Sequence, residues 1–420
     1  MSGSMRAVHL LRKLNPAQWG GTETAIQRLL DGLKEHGVQP IIYCPRLEDP
    51  VLEDPLVRSG CRVERFSAFV PVFGISRQRR RQLISVGGNL MSFDLISSLW
   101  REPEVSVIHT HTLGRIGGIA LTVAKQRQIP FVVTIHGGAL DLPEEVMKRL
   151  DTPGSSGWEW GKFFGLIFQS HRLFRDADAI IACNEKEASL LRERYPSKRI
   201  LVQAHGVPLA LYQQDQRAAA RQAFPQIQGK RVLLSVGRID PVKNQGWLIE
   251  QAPAIFRKYP QTLLVLAGAC TNEAYGDEMQ KRIEESGLQN RVVLTGGLPP
   301  DDPRLIGLFQ EAEALLLPSL SETFGLVILE AWATGTMVVS TRTSGAISLL
   351  RNGYNGLFFD LDTPETFHKA LEQALAKSET ARQLLSHGAD EVSRKYNLNT
   401  LAGRMKRLYE ELIEEKRCVT

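Results

Sequence analysis

Two successive series of short, apolar, β-branched runs constrain this chain more than any other feature. The first series occupies positions 6–11, 40–44, 105–109, 131–135, 179–182 and 200–203, and the second 231–236, 262–267, 292–295, 314–317, 337–340 and 356–359. Each run has strand length and is nearly continuous in apolar residues, the pattern of a strand buried on both faces. Stretches of helical periodicity lie between them, among others at 22–36, 184–195, 244–258, 272–286 and 326–333. Strand–helix alternation predicts a parallel sheet with helices on both faces, and its restart predicts a second sheet of the same class. The length of 420 residues agrees, because one hydrophobic core rarely grows past about 250–300 residues. The stretch 211–230 between the series is polar, rich in Gln and Ala, and has no strand signal, so the boundary is expected near 205–214. The reading is an α/β chain with domains at 1–205 and 206–395, followed by an amphipathic helix within 396–420 that packs back on the first domain.

Charge and cysteine usage narrow the class. A net charge of +5 permits an anionic substrate or an anionic membrane surface and does not call for nucleic acid. The five cysteines are scattered and form no CxxC pair, which reads as free thiols in a reducing compartment. Met1-Ser2-Gly3-Ser4 ahead of Met5 reads as an expression remnant, with no secretory signal after it. No apolar run approaches the roughly 20 residues of a spanning helix, so a cytoplasmic protein is expected. Two segments stand apart: Arg-Gln-Arg-Arg-Arg at 77–81 ahead of an apolar-rich run to Trp100, and a Gly/Ser turn with aromatic residues at 152–168. The first is either an interfacial helix for anionic lipid or a solvated charge run beside a core helix.

Three places carry candidate chemistry. Gly20-Gly21 lies between the first strand and a helix, where amides bind anions and a missing Cβ allows close approach. It is a diphosphate or sugar cradle, or a pair of turn glycines. Gly114, Gly117 and Gly118 open another helix without the dinucleotide spacing and read as packing glycines. In the second series, a strand ends at Gly237, followed by Arg238 and Lys243. Two cations beyond a strand's carboxyl end suit a diphosphate, one as a planar fork and one as a point charge. The third place runs from Pro318 to Glu330: a strand end, a polar turn with Glu322, then Thr323, Phe324, Gly325 and Leu326 at a helix start. Amides there can face phosphate oxygens, and the two carboxylates can accept hydrogen bonds from sugar and ribose hydroxyls. A capped helix with two solvated glutamates has the same sequence pattern.

That last stretch resembles the E-x7-E signature of the retaining GT-B glycosyltransferases of family 4, and the resemblance extends over almost the whole chain. Gly20-Gly21 is similar to the family's glycine loop, Thr134-Ile135-His136-Gly137 to its strand-end histidine, and Gly237-Arg238 through Lys243-Asn244 to its diphosphate motif. The resemblance implies two Rossmann-like domains facing each other across a cleft. It implies that Arg238 and Lys243 hold the donor diphosphate, Glu322 the donor sugar, Glu330 the ribose, and the stretch Thr323–Leu326 the sugar and phosphate. Gly296 falls where the family places the base, His136 reaches the sugar near its reacting carbon, and Gly20 and Gly21 approach the donor and the acceptor. His111 lies toward the acceptor, while His109 reads as structural. His109, His111 and His136 lack an HExxH pattern and a completing carboxylate, so no metal and no other cofactor is expected. Two stretches depart from the family pattern: His205-Gly206-Val207-Pro208 after the last first-domain strand, and 152–168.

The function implied is retaining transfer of a hexosyl-type unit from a nucleotide-diphosphate sugar, a UDP-sugar ahead of GDP-mannose. The implied acceptor is a saccharide or a lipid-linked saccharide, with peripheral contact to the inner face of an anionic membrane. A nucleotide-sugar epimerase of the same fold, or a catalytically silent sugar-nucleotide-binding subunit, is the competing reading.

Overall fold

The computed structural model describes residues 4–16, 19–47, 54–85, 87–88, 90–136, 158–159 and 167–419. The chain divides into two units, Met1–His205 with Asn399–Thr420, and Gly206–Leu398.

The first unit is built on β1 (Met5–Leu10), β2 (Val38–Pro45), β3 (Arg62–Phe66), β5 (Val107–Thr110), β6 (Phe131–Ile135), β8 (Ala179–Ala182) and β9 (Ile200–Val202). They form one sheet in the order β3-β2-β1-β5-β6-β8-β9, parallel throughout. β3 was not anticipated from sequence. Its run Arg-Val-Glu-Arg-Phe carries only two apolar residues, and its place at the sheet edge explains why that suffices. A separate short ribbon pairs β4 (Val72–Phe73) with β7 (Trp158–Glu159) in antiparallel fashion.

Alternate residues of each central strand supply two cores. Val8, Leu10, Ile108 and Val133 pack on one face with Ile116, Ile119 and Leu121 of the helix Gly114–Gln126. Ala7, Val107, Val132, Ala179 and Ile181 face the other way, onto Met405, Leu408, Tyr409 and Leu412 of the last helix, Leu398–Val419. The buried positions 401, 402, 405, 408, 409 and 412 repeat at helical spacing, so one stripe of that helix closes the sheet's second face. The C-terminal helix therefore does pack on the first domain. Gly117 and Gly118 are packing glycines as read: a Cβ would lie 2.4 Å from the Thr112 carbonyl oxygen and 2.5 Å from that of Phe168 respectively.

The second unit repeats the design with β10 (Arg231–Val236), β11 (Thr262–Ala267), β12 (Val292–Leu294), β13 (Ala312–Leu317), β14 (Met337–Ser340) and β15 (Leu357–Phe358). Their order is β12-β11-β10-β13-β14-β15, again all parallel. Leu233, Leu264, Leu266, Ala314, Leu316 and Val339 bury one face against the helices Gln245–Lys258, Glu273–Glu285 and Pro364–Leu375. The polar stretch after the boundary holds the short helices Leu209–Tyr212 and Arg217–Ala223 and no strand.

Both sheets have a point where the strand order reverses. In the first it lies between β1 and β5, and in the second between β10 and β13. Crossovers leave to opposite sides there, which opens a crevice beyond the strands' carboxyl ends.

Candidate active site

Each crevice collects the residues that can do chemistry. In the second unit, β10 ends at Val236 and delivers Arg238 and Lys243, while β13 ends at Leu317 and delivers Ser319 and Glu322. The Lys243 ammonium and the Glu322 carboxylate form an ion pair across the reversal point, both largely buried. Ser319 Oγ donates to the same carboxylate at 3.1 Å. The two loops are also tied directly: Leu320 N donates to the Val242 carbonyl at 2.8 Å, and Asn244 Nδ2 to the Pro318 carbonyl at 3.2 Å. Asp240 organises the cationic loop. One carboxylate oxygen accepts from the amides of Val242 and Lys243 at 3.0 and 3.1 Å, and the other lies 3.3 Å from Arg238 Nη2. The Arg238 side chain keeps 46% exposure, so its guanidinium is held and still reachable.

Glycine geometry shapes this crevice at two points. Gly325, with φ +89°, is the N-cap of the helix Leu326–Thr334 in a left-handed conformation that side chains disfavour. It offers no side-chain cap to that helix start, which suits an incoming oxygen anion. Gly345, which sequence reading missed, lets the Glu322 turn lie against the next helix. A Cβ on it would meet Phe324 N at 2.7 Å and the Glu322 carbonyl oxygen at 2.8 Å. That carbonyl also accepts from Gly345 N at 2.8 Å and Ser344 Oγ at 3.0 Å.

The other predicted donor residues sit along the same sheet edge. Thr323 is exposed, Phe324 and Leu326 are buried, and Glu330 is 5% exposed inside the helix. Gly296 follows β12 with φ +71°, and its carbonyl accepts from Gly268 N at 3.1 Å. Residues from the ends of β10, β12 and β13 thus share one edge of one sheet.

In the first unit, Gly20 is the N-cap of the helix Gly21–Glu35, again without a side-chain cap. Gly20 N donates to Glu23 Oε2 at 3.1 Å, and Lys13 Nζ lies 3.3 Å from Glu23 Oε1. The main content of this crevice is imidazole. His9 stands opposite His109 in the β1–β5 register, so the two share a face, and His111 follows two residues beyond His109. His9 Nδ1 lies 3.0 Å from His111 Nε2, and His111 Nδ1 lies 2.8 Å from His136 Nε2. His109 is occupied at both nitrogens, by Tyr409 Oη at 2.5 Å and Thr134 Oγ1 at 2.6 Å, which fits a structural role. The His136 ring stacks on His205 with centroids 5.3 Å apart, and Cys183 Sγ lies 3.4 Å from His205 Nε2.

Burial holds all five imidazoles neutral. It pushes His9 down to about 3 and His205 to about 4, with Arg28 adding to the latter. His109, His111 and His136 are pushed well below the ordinary range, chiefly by burial and further by neighbouring imidazoles, with Arg12 also acting on His136. Two groups have donor atoms close enough to share a cation: His9 with His109 and His111, and His136 with Cys183 and His205, within 4.8 Å in each case. In the first, His109 and His111 already spend both nitrogens on hydrogen bonds. In the second, the Cys183 thiol donates to the Ile135 carbonyl at 3.0 Å, and an ion would displace that proton.

Sequence reading missed His9, Cys183 and His205. The first was within reach, since an alternating His pair on one strand invites a search for a partner on the neighbouring strand. The other two come from chain segments whose spacing carries no motif. Gly137 and most of 152–168 lie outside the described residues.

Comparison with known proteins covers both units. Residues 20–206 match the family model described as Glycosyl transferase 4-like domain, and residues 216–390 match Glycosyl transferases group 1. D-inositol 3-phosphate glycosyltransferase of Corynebacterium glutamicum (strain R) is 26% identical over 407 residues, covering 94% of this chain and 92% of that protein. The protein of the same name from Thermobispora bispora is 26% identical over 337 residues, covering 76% of this chain and 73% of its own. HepE of Anabaena, solved with UDP and glucose, matches with a TM-score of 0.69 at 18% identity, covering 97% of this chain and 100% of that one. Sucrose-phosphate synthase of Thermosynechococcus elongatus gives a TM-score of 0.69 at 21% identity, covering 98% and 100%. The structural likenesses establish the GT-B class of two parallel-sheet α/β domains. With a family model on each unit, the chain belongs to the group 1, family 4-like glycosyltransferases.

Proposed function

We propose that the protein is a retaining, metal-independent hexosyltransferase that uses a nucleotide-diphosphate sugar, UDP-sugars ahead of GDP-mannose, and a saccharide or lipid-linked saccharide acceptor. One observation carries the donor half: Arg238, Lys243 and Glu322 meet at the β10/β13 reversal point beside the glycine-started helix. Arg238, Lys243 and the helix-start amides stabilise the diphosphate as negative charge builds on it, the largest kind of contribution at such sites. The carboxylate of Glu322 already accepts from Lys243 and Ser319, which suits hydrogen bonding to sugar hydroxyls. Glu330 takes the ribose, Gly296 lies by the base, and Thr323, Phe324, Gly325 and Leu326 line the sugar and phosphates. Gly20 and Gly21 approach donor and acceptor, His136 contacts the sugar, and His111 lies on the acceptor side.

The reaction proposed is front-face substitution. The anomeric carbon–phosphate oxygen bond breaks while the acceptor oxygen bonds the same carbon from the same face. The acceptor's proton passes to the leaving phosphate oxygen, giving the glycoside and the nucleoside diphosphate. The five free cysteines support a reducing, cytoplasmic setting. No helix among the described residues is long and apolar enough to cross a membrane. The exposed arginines of the helix Arg77–Ser85 support peripheral contact with an anionic surface.

A thermal-shift screen against UDP-, GDP- and ADP-sugars identifies the donor, because a bound ligand raises apparent stability by mass action. Transfer is then assayed on saccharides, lipid-linked saccharides and inositol phosphates, the last because of the relatives' name. Glu322→Ala should abolish transfer and leave the circular dichroism spectrum unchanged. Full activity in that variant rejects the assignment.

A further inference from the structure

His9, His111 and His136 form a linear chain of three imidazoles joined by two N···N contacts, of 3.0 and 2.8 Å. Its outer atoms, His9 Nε2 and His136 Nδ1, are both buried and have no hydrogen-bond partner among the described residues. A neutral imidazole carries one N–H and one bare nitrogen. Both contacts are hydrogen bonds only if all three rings hold their protons at corresponding positions. Either every proton sits on Nδ1, with His9 donating to His111 and His111 to His136, or every proton sits on Nε2 and both bonds run the other way. A proton on His136 Nδ1 therefore requires a bare His9 Nε2, and the reverse.

The surroundings of His9 choose between the two. His9 is fully buried, and its ring lies among those of His109, His111 and Tyr409. An orphaned buried N–H is rarer in folded proteins than an acceptor with an unused lone pair. The proton is thus excluded from His9 Nε2 and appears at the other end of the chain. Behind it, His109 is locked by Tyr409 and Thr134 and stacks on His111 with centroids 4.3 Å apart, which keeps the middle ring in line.

We propose that His9 and His111 are positioning residues that fix His136 as its Nδ1–H tautomer, so that His136 presents a hydrogen-bond donor to an oxygen of the bound substrate. The part played toward substrate rests on the reading that His136 contacts the donor sugar; the tautomer relay does not.

The full-length protein, labelled with 15N-histidine, tests the relay without substrate. Long-range proton–nitrogen NMR distinguishes an N–H from a bare ring nitrogen. The result expected is Nδ1–H on His9, His111 and His136 together; Nε2–H on any of the three overturns the relay. In His9→Leu, His136 should shift to a mixture of tautomers, because the reverse arrangement no longer leaves a proton on a fully buried atom. In His9→Asn, an amide N–H can replace the donated bond to His111, and the Nδ1–H state should return. A pure Nδ1–H signal for His136 in the folded Leu variant removes His9 from the relay. Transfer kinetics read the second half: kcat/KM should fall about tenfold in the Leu variant, the scale of one hydrogen bond, and recover in the Asn variant. A relay seen by NMR with unchanged kinetics rejects the sugar contact of His136 while leaving the relay standing.

Discussion

At the scale of single residues, the Glu322 turn depends as much on Gly345 as on its own side chains. The turn carries the carboxylate that pairs with Lys243, and its backbone rests where a Cβ on Gly345 would have to be. Gly345→Ala should cost about 1–3 kcal/mol, the usual range for overpacking. It should also weaken nucleotide-sugar binding, because the displaced turn moves Glu322 away from Lys243. Calorimetric titration of the variant checks this; wild-type affinity would mean that the turn yields without moving the carboxylate. Arg238, Lys243, Glu322 and Glu330 were legible because each follows a recognisable strand end within a few residues. Gly345 was not, since its constraint comes from a backbone more than twenty positions earlier in the chain.

At the scale of elements, the arginine-rich segment resolves into less than a single interfacial helix. The helix Arg77–Ser85 is short, and a separate helix, Asp94–Arg101, holds the later apolar residues. Ile75, Leu83 and Ile84 pack against the first core, while Arg77, Arg79, Arg80 and Arg81 are exposed. The apolar side is therefore used by the protein itself, and any membrane contact would be electrostatic. Phe73 and Phe93, exposed by 58% and 51%, belong to the same part of the chain and could add shallow insertion. Each arginine near an anionic surface contributes about 1 kcal/mol. Replacing all four by glutamine should abolish co-sedimentation with phosphatidylserine-containing vesicles and spare transfer to a soluble acceptor. Equal sedimentation before and after replacement would exclude this helix from membrane contact.

At the scale of the whole molecule, a buried histidine stack ties stability to pH. Burial lowers His9 from 6.5 to about 3 and His205 from 6.5 to about 4. Below 6.5 the unfolded chain takes up protons at these sites that the folded chain refuses, so stability falls as pH falls. The contribution is intact above 6.5 and is lost progressively as the pH drops toward 4. At pH 5 each such histidine costs about 2 kcal/mol relative to neutral pH. The melting temperature should therefore fall steeply between pH 6.5 and 5, before the carboxylates titrate, and the slope should be shallower in His9→Asn. A flat profile over that interval would mean that the stack admits water or protons in the folded state.

The alternation of apolar runs determined the fold class, because parallel strands buried on both faces leave an unmistakable local pattern. It determined the donor-site residues for the same reason: Arg238, Lys243, Glu322 and the Gly325 helix start are each read from a few neighbouring positions. Edge strand β3 escaped because an edge needs fewer apolar residues than a centre. What only the tertiary structure decided is which distant residues share a crevice. His9, His111, His136, Cys183 and His205 come from β1 and from the ends of β5, β6, β8 and β9, and only the parallel register and strand order bring them together. Local sequence records the shape of each strand. It does not record the neighbour that the sheet assigns to it, and the histidine stack is made of neighbours.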